Sequence, residues 1–461
     1  MFCGAGLPTA RAEVRLSKVF SSHMVLQQDR PLVIWGWAQP NETVTVTLAS
    51  ATAQAHANDH GEWKVVLPAM KAGGPFLLKV TGSSSVELED VMIGEVWLCS
   101  GQSNMEMGLG MARDAQREIA QAEDPGLRLL LVAHKWDPLP QINIDGQWKV
   151  CSPKTITEGG WNGFSAAAYY FGRELRQKLG VTVGLIESSW GGTRIESWTP
   201  PEGFAATPAL RGEYEKLAPP HDLQNATALY NGMIHPLCPF ALRGAIWYQG
   251  ESNLGDGPRY TERMKALIGG WRELWKQGDF PFYFVQIAPF NYGGKPQAEA
   301  EFWEAQAAAQ AIPNTGMAVI NDIGDLKDVH PKNKQDVGHR LALLALAKTY
   351  RHDGLEWSGP VFKSLAIEGG KLRVTFDHAG DGLASRDGKP LDWFEIIDAD
   401  KGGFVQADAR LEGSSVVLSA PDVRHPVALR YAWSMLAEPH LINSAGLPAG
   451  AFRAGTAPAR P

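Results

Sequence analysis

Between residues 13 and 90, apolar and polar positions alternate in short runs. "PLVIWGWA", "ETVTVTLA", "EWKVVLPA", "PFLLKVTG" and "SVELEDV" each read as a strand of period two. Turn residues such as Gln39-Pro40-Asn41, Asn58-Asp59-His60-Gly61 and Ala72-Gly73-Gly74-Pro75 punctuate them. Short strands at this spacing predict a small β-sandwich over 13–90. From about residue 91 the rhythm changes. Five apolar runs, at 96–99, 183–188, 244–248, 282–287 and 317–320, alternate with helix-like stretches such as "FSAAAYYFGRELRQKLG", "YTERMKALIGGWRELWKQG" and "EFWEAQAAAQAI". Strands that alternate with helices predict right-handed crossovers and a parallel five-stranded sheet with helices on both faces. After His330, Val337, Leu341, Leu344 and Ala345 recur at helical spacing, which predicts a closing helix and a three-layer α/β/α domain over 91–352. Beyond it "KLRVTFDH", "WFEIIDA" and "ALRYAWS" return to β pattern, giving a third, sandwich-like region over 353–461. Its tail, "AGLPAGAFRAGTAPARP", is expected to be loosely ordered.

Composition agrees with this division and removes some functions. A chain of 461 residues is too long for one core and fits about three domains. A net charge of −7 without a basic stripe argues against nucleic acid. No apolar run approaches the ~18–20 residues of a membrane span. The four cysteines, Cys3, Cys99, Cys151 and Cys238, show no paired spacing, so the chain carries no metal signature. Sixteen tryptophans fit sugar-binding surfaces and large cores equally well. In "LPTARAEV", Ala10-Arg11-Ala12 fits the cleavage site of a secretory signal, which predicts an exported protein. The sequence carries no signal of oligomeric state.

Ligands of parallel sheets bind outside the carboxyl ends of the strands, so the residues that follow each apolar run matter most. After the first run come Ser100-Gly101-Gln102-Ser103-Asn104, and after the second Ser188-Ser189-Trp190-Gly191-Gly192-Thr193-Arg194. After the third come Gln249-Gly250-Glu251-Ser252-Asn253, and past the fifth Asp328-Val329-His330-Pro331. These are the side chains of acyl transfer. Ser103 lies in a strand-to-helix turn; alone it would read as a helix cap, but beside an imidazole it is a nucleophile. His330 is the histidine that topology places at the same sheet edge, and so the candidate base. His235 precedes its strand and reads as structural. Asp328 is the natural orienter of His330, with Asp325, Asp322 and Glu251 as competitors. The free N–H groups of the helix start at Ser103, one N–H of the Gly191-Gly192 pair and the side-chain amide of Gln249 are candidate oxyanion donors. Gln102, Asn104, Trp190, Gly192, Arg194, Glu251 and Asn253 complete the expected substrate lining.

Four blocks, "CSGQSNM", "SSWGGTRIESW", "LRGAIWYQGESN" and "DVHPKNKQDVGHRLA", together with "MVLQQDRPLVIWGWA" before them, resemble the sialate O-acetylesterase family of the SGNH-hydrolase superfamily. The resemblance implies a flavodoxin-like catalytic domain, Ser103 as nucleophile and His330 as base. It implies Ser103 and Gly191 main-chain oxyanion donors, with Gln249 replacing the superfamily's usual Asn. A commoner superfamily spacing puts the Asp three residues before the His; here Lys327 stands there and the Asp is at 328. Removal of acetyl groups from sialic acid or plant cell-wall glycans, without metal or organic cofactor, is the implied activity. The contrasting readings are a silent carbohydrate-binding protein, against which the intact Ser103/His330/Gln249 set argues, and an esterase for other esters, against which the polar strand exits argue.

Overall fold

The computed structural model of the chain describes residues 13–458. Cys3 and the Ala10-Arg11-Ala12 triplet behind the export reading lie outside that range.

Residues 13–84 form short strands that, Val25–Gln27 apart, pair antiparallel. Arg15–Leu16, Leu32–Trp37 and Glu62–Leu67 make one sheet, while Thr43–Leu48 pairs with Ala51–His56 and Gly73–Thr81. Burial alternates along them: Ile34, Val44, Val46 and Val65 point inward and their neighbours outward. The next strand crosses the expected boundary at 90/91. It is one element, β1 (Ser85–Gly101), of 17 residues. Its first part pairs antiparallel with Gly73–Thr81, and its last part lies in the central sheet. "SVELEDV" and 96–99 are therefore not separate strands. No glycine or proline interrupts 85–93, and burial passes from alternating to continuous at Ile93.

The central sheet also contains β2 (Asp124–Leu131), β3 (Trp148–Cys151), β4 (Val183–Ser189), β5 (Gly244–Tyr248), β6 (Phe282–Val285) and β7 (Thr315–Ala318). The order is β3-β2-β4-β1-β5-β6-β7, with every neighbouring pair parallel except β3 on β2. Six parallel strands replace the five expected. The sixth, β2, is hidden in sequence because Pro125-Gly126 opens it and Arg128 interrupts its apolar run; Arg128 stays buried by pairing with Asp90.

Helices cover both faces of this sheet. Alternate strand residues enter two different cores: Trp97, Cys99, Ile246, Tyr248 and Tyr283 join α2 (Ala166–Leu179) and α5 (Lys334–Leu344). Leu98, Ala245, Trp247 and Phe282 join α3 (Arg259–Trp275) and α4 (Ala298–Ala308). The ends of these helices follow local chemistry. Ser165 Oγ accepts from Ala168 N at the start of α2, Gly180 closes it with φ +68°, and Asn333 caps α5. A single turn, α1 (Ser103–Glu106), follows β1.

The remaining residues fold into antiparallel sheets, including Val361–Glu368/Lys371–Asp377/Ser415–Ser419 and Phe394–Asp398/Pro426–Tyr431/Phe452–Gly455. The described part of the tail is built into the fold where looseness was expected: Phe452–Gly455 is a paired strand, and Leu447, Ala449 and Ala451 are buried. Trp97, Trp198, Trp247, Trp271 and Trp303 are all fully buried, so much of the tryptophan surplus serves the core. Among the described residues no helix is long and apolar enough to cross a membrane.

Candidate active site

The carboxyl ends of β4, β1 and β5 are adjacent, so three of the polar exits meet by topology alone. Contact at the centre requires glycine. Gly101 has φ +146°, and a side-chain carbon there would collide with the Tyr248 carbonyl of β5. The turn is then tied down: Gln102 N donates to Tyr248 O at 3.0 Å, and Gln102 Oε1 accepts from Ser252 N at 3.2 Å. Ser103 is left half-buried at the first position of α1, where the N–H groups of a helix have no partner within it.

His330 arrives from the loop after β7. Its Nε2 lies 2.9 Å from Ser103 Oγ, a normal hydrogen-bond distance that spans 227 residues of sequence. Asp328 Oδ1 accepts from His330 N at 2.9 Å but stands 3.6 Å from the ring Nδ1, beyond a hydrogen bond. The competitors face elsewhere: Asp322 grips Arg340 at 2.6 and 2.7 Å, Asp325 accepts from Lys327 N, and Glu251 accepts from Asn104. The edge of Trp161 packs on the imidazole, with centroids 5.0 Å apart. Burial, followed by the charge of Lys334, holds the His330 pKa below the ordinary imidazole value, against the opposing pull of Asp328.

Beneath this pair lies a buried polar chain. Asn104 Nδ2 donates to Glu251 Oε1 at 2.6 Å and to Val329 O at 2.9 Å, while its Oδ1 accepts from Lys334 Nζ at 2.5 Å. Asn104 thus ties the residue after the serine to the residue before the histidine. Lys334 is fully buried over the Tyr248 ring, and desolvation pulls its pKa down to about 7. Burial likewise raises Glu251.

The hydrogen bonds of the site alter several expected roles. Both amide hydrogens of Gln249 are used, on Thr193 O at 3.1 Å and Asn253 Oδ1 at 2.7 Å, and its oxygen accepts from Tyr260. It offers Ser103 no free donor. Asn253 is wholly buried between Ile195 N, Gln249, Glu196 and Asp256, and Asn104 and Gln102 are committed as described, so none of the three lines a substrate surface. Arg194 is taken by Glu196, Asp256 and Ser252 O. Trp198 is core. Gly192 is exposed at φ +73°, and Trp190 is half-buried. The Gly191 N–H is beside Ser103, but it donates to Glu106 Oε2 at 2.6 Å.

Sequence reasoning passed over Glu106, His134, Trp161 and Lys334. Glu106 was visible three residues after the serine, one helical turn away. His134 follows β2, a strand that the hydrophobic pattern hides, so its place at a strand exit does not show in the sequence.

Comparison with known proteins agrees with this architecture. Residues 93–347 match the family model for carbohydrate esterase, sialic acid-specific acetylesterase. The sialate O-acetylesterases of Homo sapiens and Pongo abelii are each 32% identical over 470 residues, covering 91% of this chain and 87% of theirs. The crystal structure of a carbohydrate acetylesterase from Xanthomonas citri superposes with a TM-score of 0.89 at 39% identity, covering 96% of this chain and 100% of that one. The blocks around Ser103, Gly191, Gln249 and His330 therefore sit in a chain that belongs to the sialic acid-specific acetylesterase family of carbohydrate esterases.

Proposed function

We propose that the protein hydrolyses acetyl esters on sugars through a Ser103 acyl-enzyme, within an SGNH-type catalytic domain. The observation that carries the reading is the 2.9 Å contact between Ser103 Oγ and His330 Nε2 at the shared edge of a parallel sheet. The order β4-β1-β5-β6-β7, flavodoxin-like once β2 is set aside, supports the domain assignment.

In this mechanism neutral His330 takes the hydroxyl proton as Ser103 Oγ attacks the acetyl carbonyl. The imidazolium then protonates the departing sugar oxygen. Water, deprotonated by the same ring, releases acetate from Ser103. Asp328 faces the imidazolium at 3.6 Å and stabilises it by charge across a gap, so the pair works closer to a dyad than to a hydrogen-bonded triad. The oxyanion is received by the Ser103 N–H, and by the Gly191 N–H when Glu106 releases it; one such donor is worth about 3 kcal/mol.

Ser103→Ala is expected to abolish acetate release from acetylated xylan, xyloglucan or O-acetyl sialosides while leaving the circular dichroism spectrum unchanged. Retained turnover in that variant would end the serine mechanism. The same panel, read by NMR for the acetyl position lost, identifies the sugar.

A further inference from the structure

The oddest feature of the site is a carboxylate on a donor that the chemistry needs. Gly191 lies between nucleophile and carboxylate: a side-chain carbon there would sit 3.2 Å from Ser103 Cβ and 3.1 Å from Glu106 Oε2. Glu106 Oε2 holds the Gly191 N–H, and its other oxygen lies 3.2 Å from His134 Nε2. That same nitrogen lies 3.1 Å from the Ser189 carbonyl. Both neighbours of Nε2 are acceptors, so Nε2 carries the hydrogen and Nδ1 of the neutral ring is left as an acceptor. The imidazole lies flat on Trp190, with centroids 4.2 Å apart and planes 7° from parallel, and its side chain is 37% exposed.

A negative charge beside a developing oxyanion opposes catalysis, and nothing in the packing calls for it. Among the described residues no arginine or lysine pairs with Glu106; its partners there are one N–H and one imidazole. The wall has the composition of a sugar site: a flat aromatic stack, a carboxylate and an imidazole acceptor, linked to the nucleophile through Glu106 and Gly191. We propose that Glu106, His134 and Trp190 form the sugar-recognition subsite beside Ser103, with the Glu106 carboxylate accepting a hydroxyl of the acetylated ring. This rests on the esterase reading above and adds its alcohol side. A ring hydroxyl next to the ester gives Glu106 a competing donor and draws it off Gly191, so that sugar binding opens the second oxyanion donor. An ester with no hydroxyl leaves the carboxylate in place.

The test compares two ester types in the full-length enzyme. Partially acetylated xylo-oligosaccharides and a 9-O-acetyl sialoside carry free hydroxyls near the ester, whereas p-nitrophenyl acetate carries none. For Glu106→Ala the ratio of kcat/KM on the better sugar ester to that on p-nitrophenyl acetate is expected to fall at least tenfold, with the p-nitrophenyl acetate rate itself rising. Glu106→Gln keeps the volume if alanine impairs folding, and His134→Ala is expected to lower the same ratio. A ratio within twofold of wild type, or a parallel fall on both substrates, overturns the proposal. Failure of the esterase reading looks different: wild-type enzyme would cleave neither sugar ester, or Ser103→Ala would keep its activity.

Discussion

At the scale of single residues, the charge balance around His330 decides the pH response. With His330 as the base proposed above, which works only when neutral, activity is expected to be lost as pH falls through its pKa. Burial and then Lys334 lower that pKa, and Asp328 raises it. The acidic limb of kcat/KM is therefore expected below the ordinary imidazole value of about 6.5. Asp328→Asn removes a charge that favours the imidazolium, so the limb moves to still lower pH. Its plateau rate should fall by roughly tenfold, far short of the ~10⁴ seen where a buried Asp holds the ring. Lys334→Gln moves the limb the other way, toward higher pH. A pH–rate profile of each variant on p-nitrophenyl acetate checks both signs. A limb that moves up in Asp328→Asn would overturn the stabilising role given to this carboxylate, whereas a ~10⁴-fold loss would mean that it closes on Nδ1 during turnover. That Ser103 and His330 meet was readable from sequence, because their places follow from strand order. The roles of Gln249, Asn253 and Asn104 were not, since a sequence shows which groups can bond but not which partners already consume them. Lys334 was invisible for a different reason: lysine ordinarily points to solvent, and its burial depends on Asn104 and Tyr248 arriving from other elements.

Among elements, the site depends on how closely α5 is seated. His330 and Lys334 bracket its start, and its partner across the sheet face is α2. Gly338 makes the crossing possible: a side-chain carbon there would strike Tyr170 Cβ and lie 2.7 Å from Phe171 N. Backbone cannot give way as a side-chain tip does, so the helices must separate. Gly338→Ala is expected to cost about 1–3 kcal/mol, the usual range for overpacking, and to lower the thermal midpoint. Because the shift moves the helix that follows His330, kcat should fall with it. Differential scanning calorimetry alongside ester kinetics tests the link; an unchanged midpoint would show that the crossing has slack. The sequence made this level largely legible. Five continuous apolar runs are what strands buried on both faces look like, and all five lie in the sheet. The strand β2 was missed because Arg128 breaks its run, and a buried arginine is legible only when Asp90, 38 residues away, is seen to neutralise it.

For the whole molecule, the three regions are not independent bodies joined by linkers. β1 belongs to both the first region and the central sheet, and one apolar core runs from Val14 to Ala451. The C-terminal sheets brace the site from behind. Asn321 Nδ2, at the exit of β7, donates to the Ala449 carbonyl at 2.8 Å, and Arg386 donates to the Asp322 carbonyl at 2.5 Å. Asp322 in turn holds Arg340 of α5. Met435 N bonds the Pro296 carbonyl at 2.7 Å, and Arg453 pairs with Glu304 of α4. The tail that the sequence led us to expect loosely ordered, rich in glycine, alanine and proline, supplies Ala449 itself, and its burial is a role that hydrophobic patterning does not register. Deleting residues 353–461 would uncover apolar surface along that shared core and release the loop that carries His330. The shortened chain is expected to aggregate or to lose its cooperative thermal transition, with esterase activity falling at least a hundredfold. Soluble protein with wild-type kcat would show instead that the central sheet holds Ser103 and His330 together unaided. Asn321→Ala separates the two contributions. It removes one buried hydrogen bond, worth about 1–3 kcal/mol where the partner carbonyl is left unpaired, without uncovering the core. A measurable fall in kcat in that variant, at unchanged solubility, would assign the brace to the position of His330 and not merely to stability.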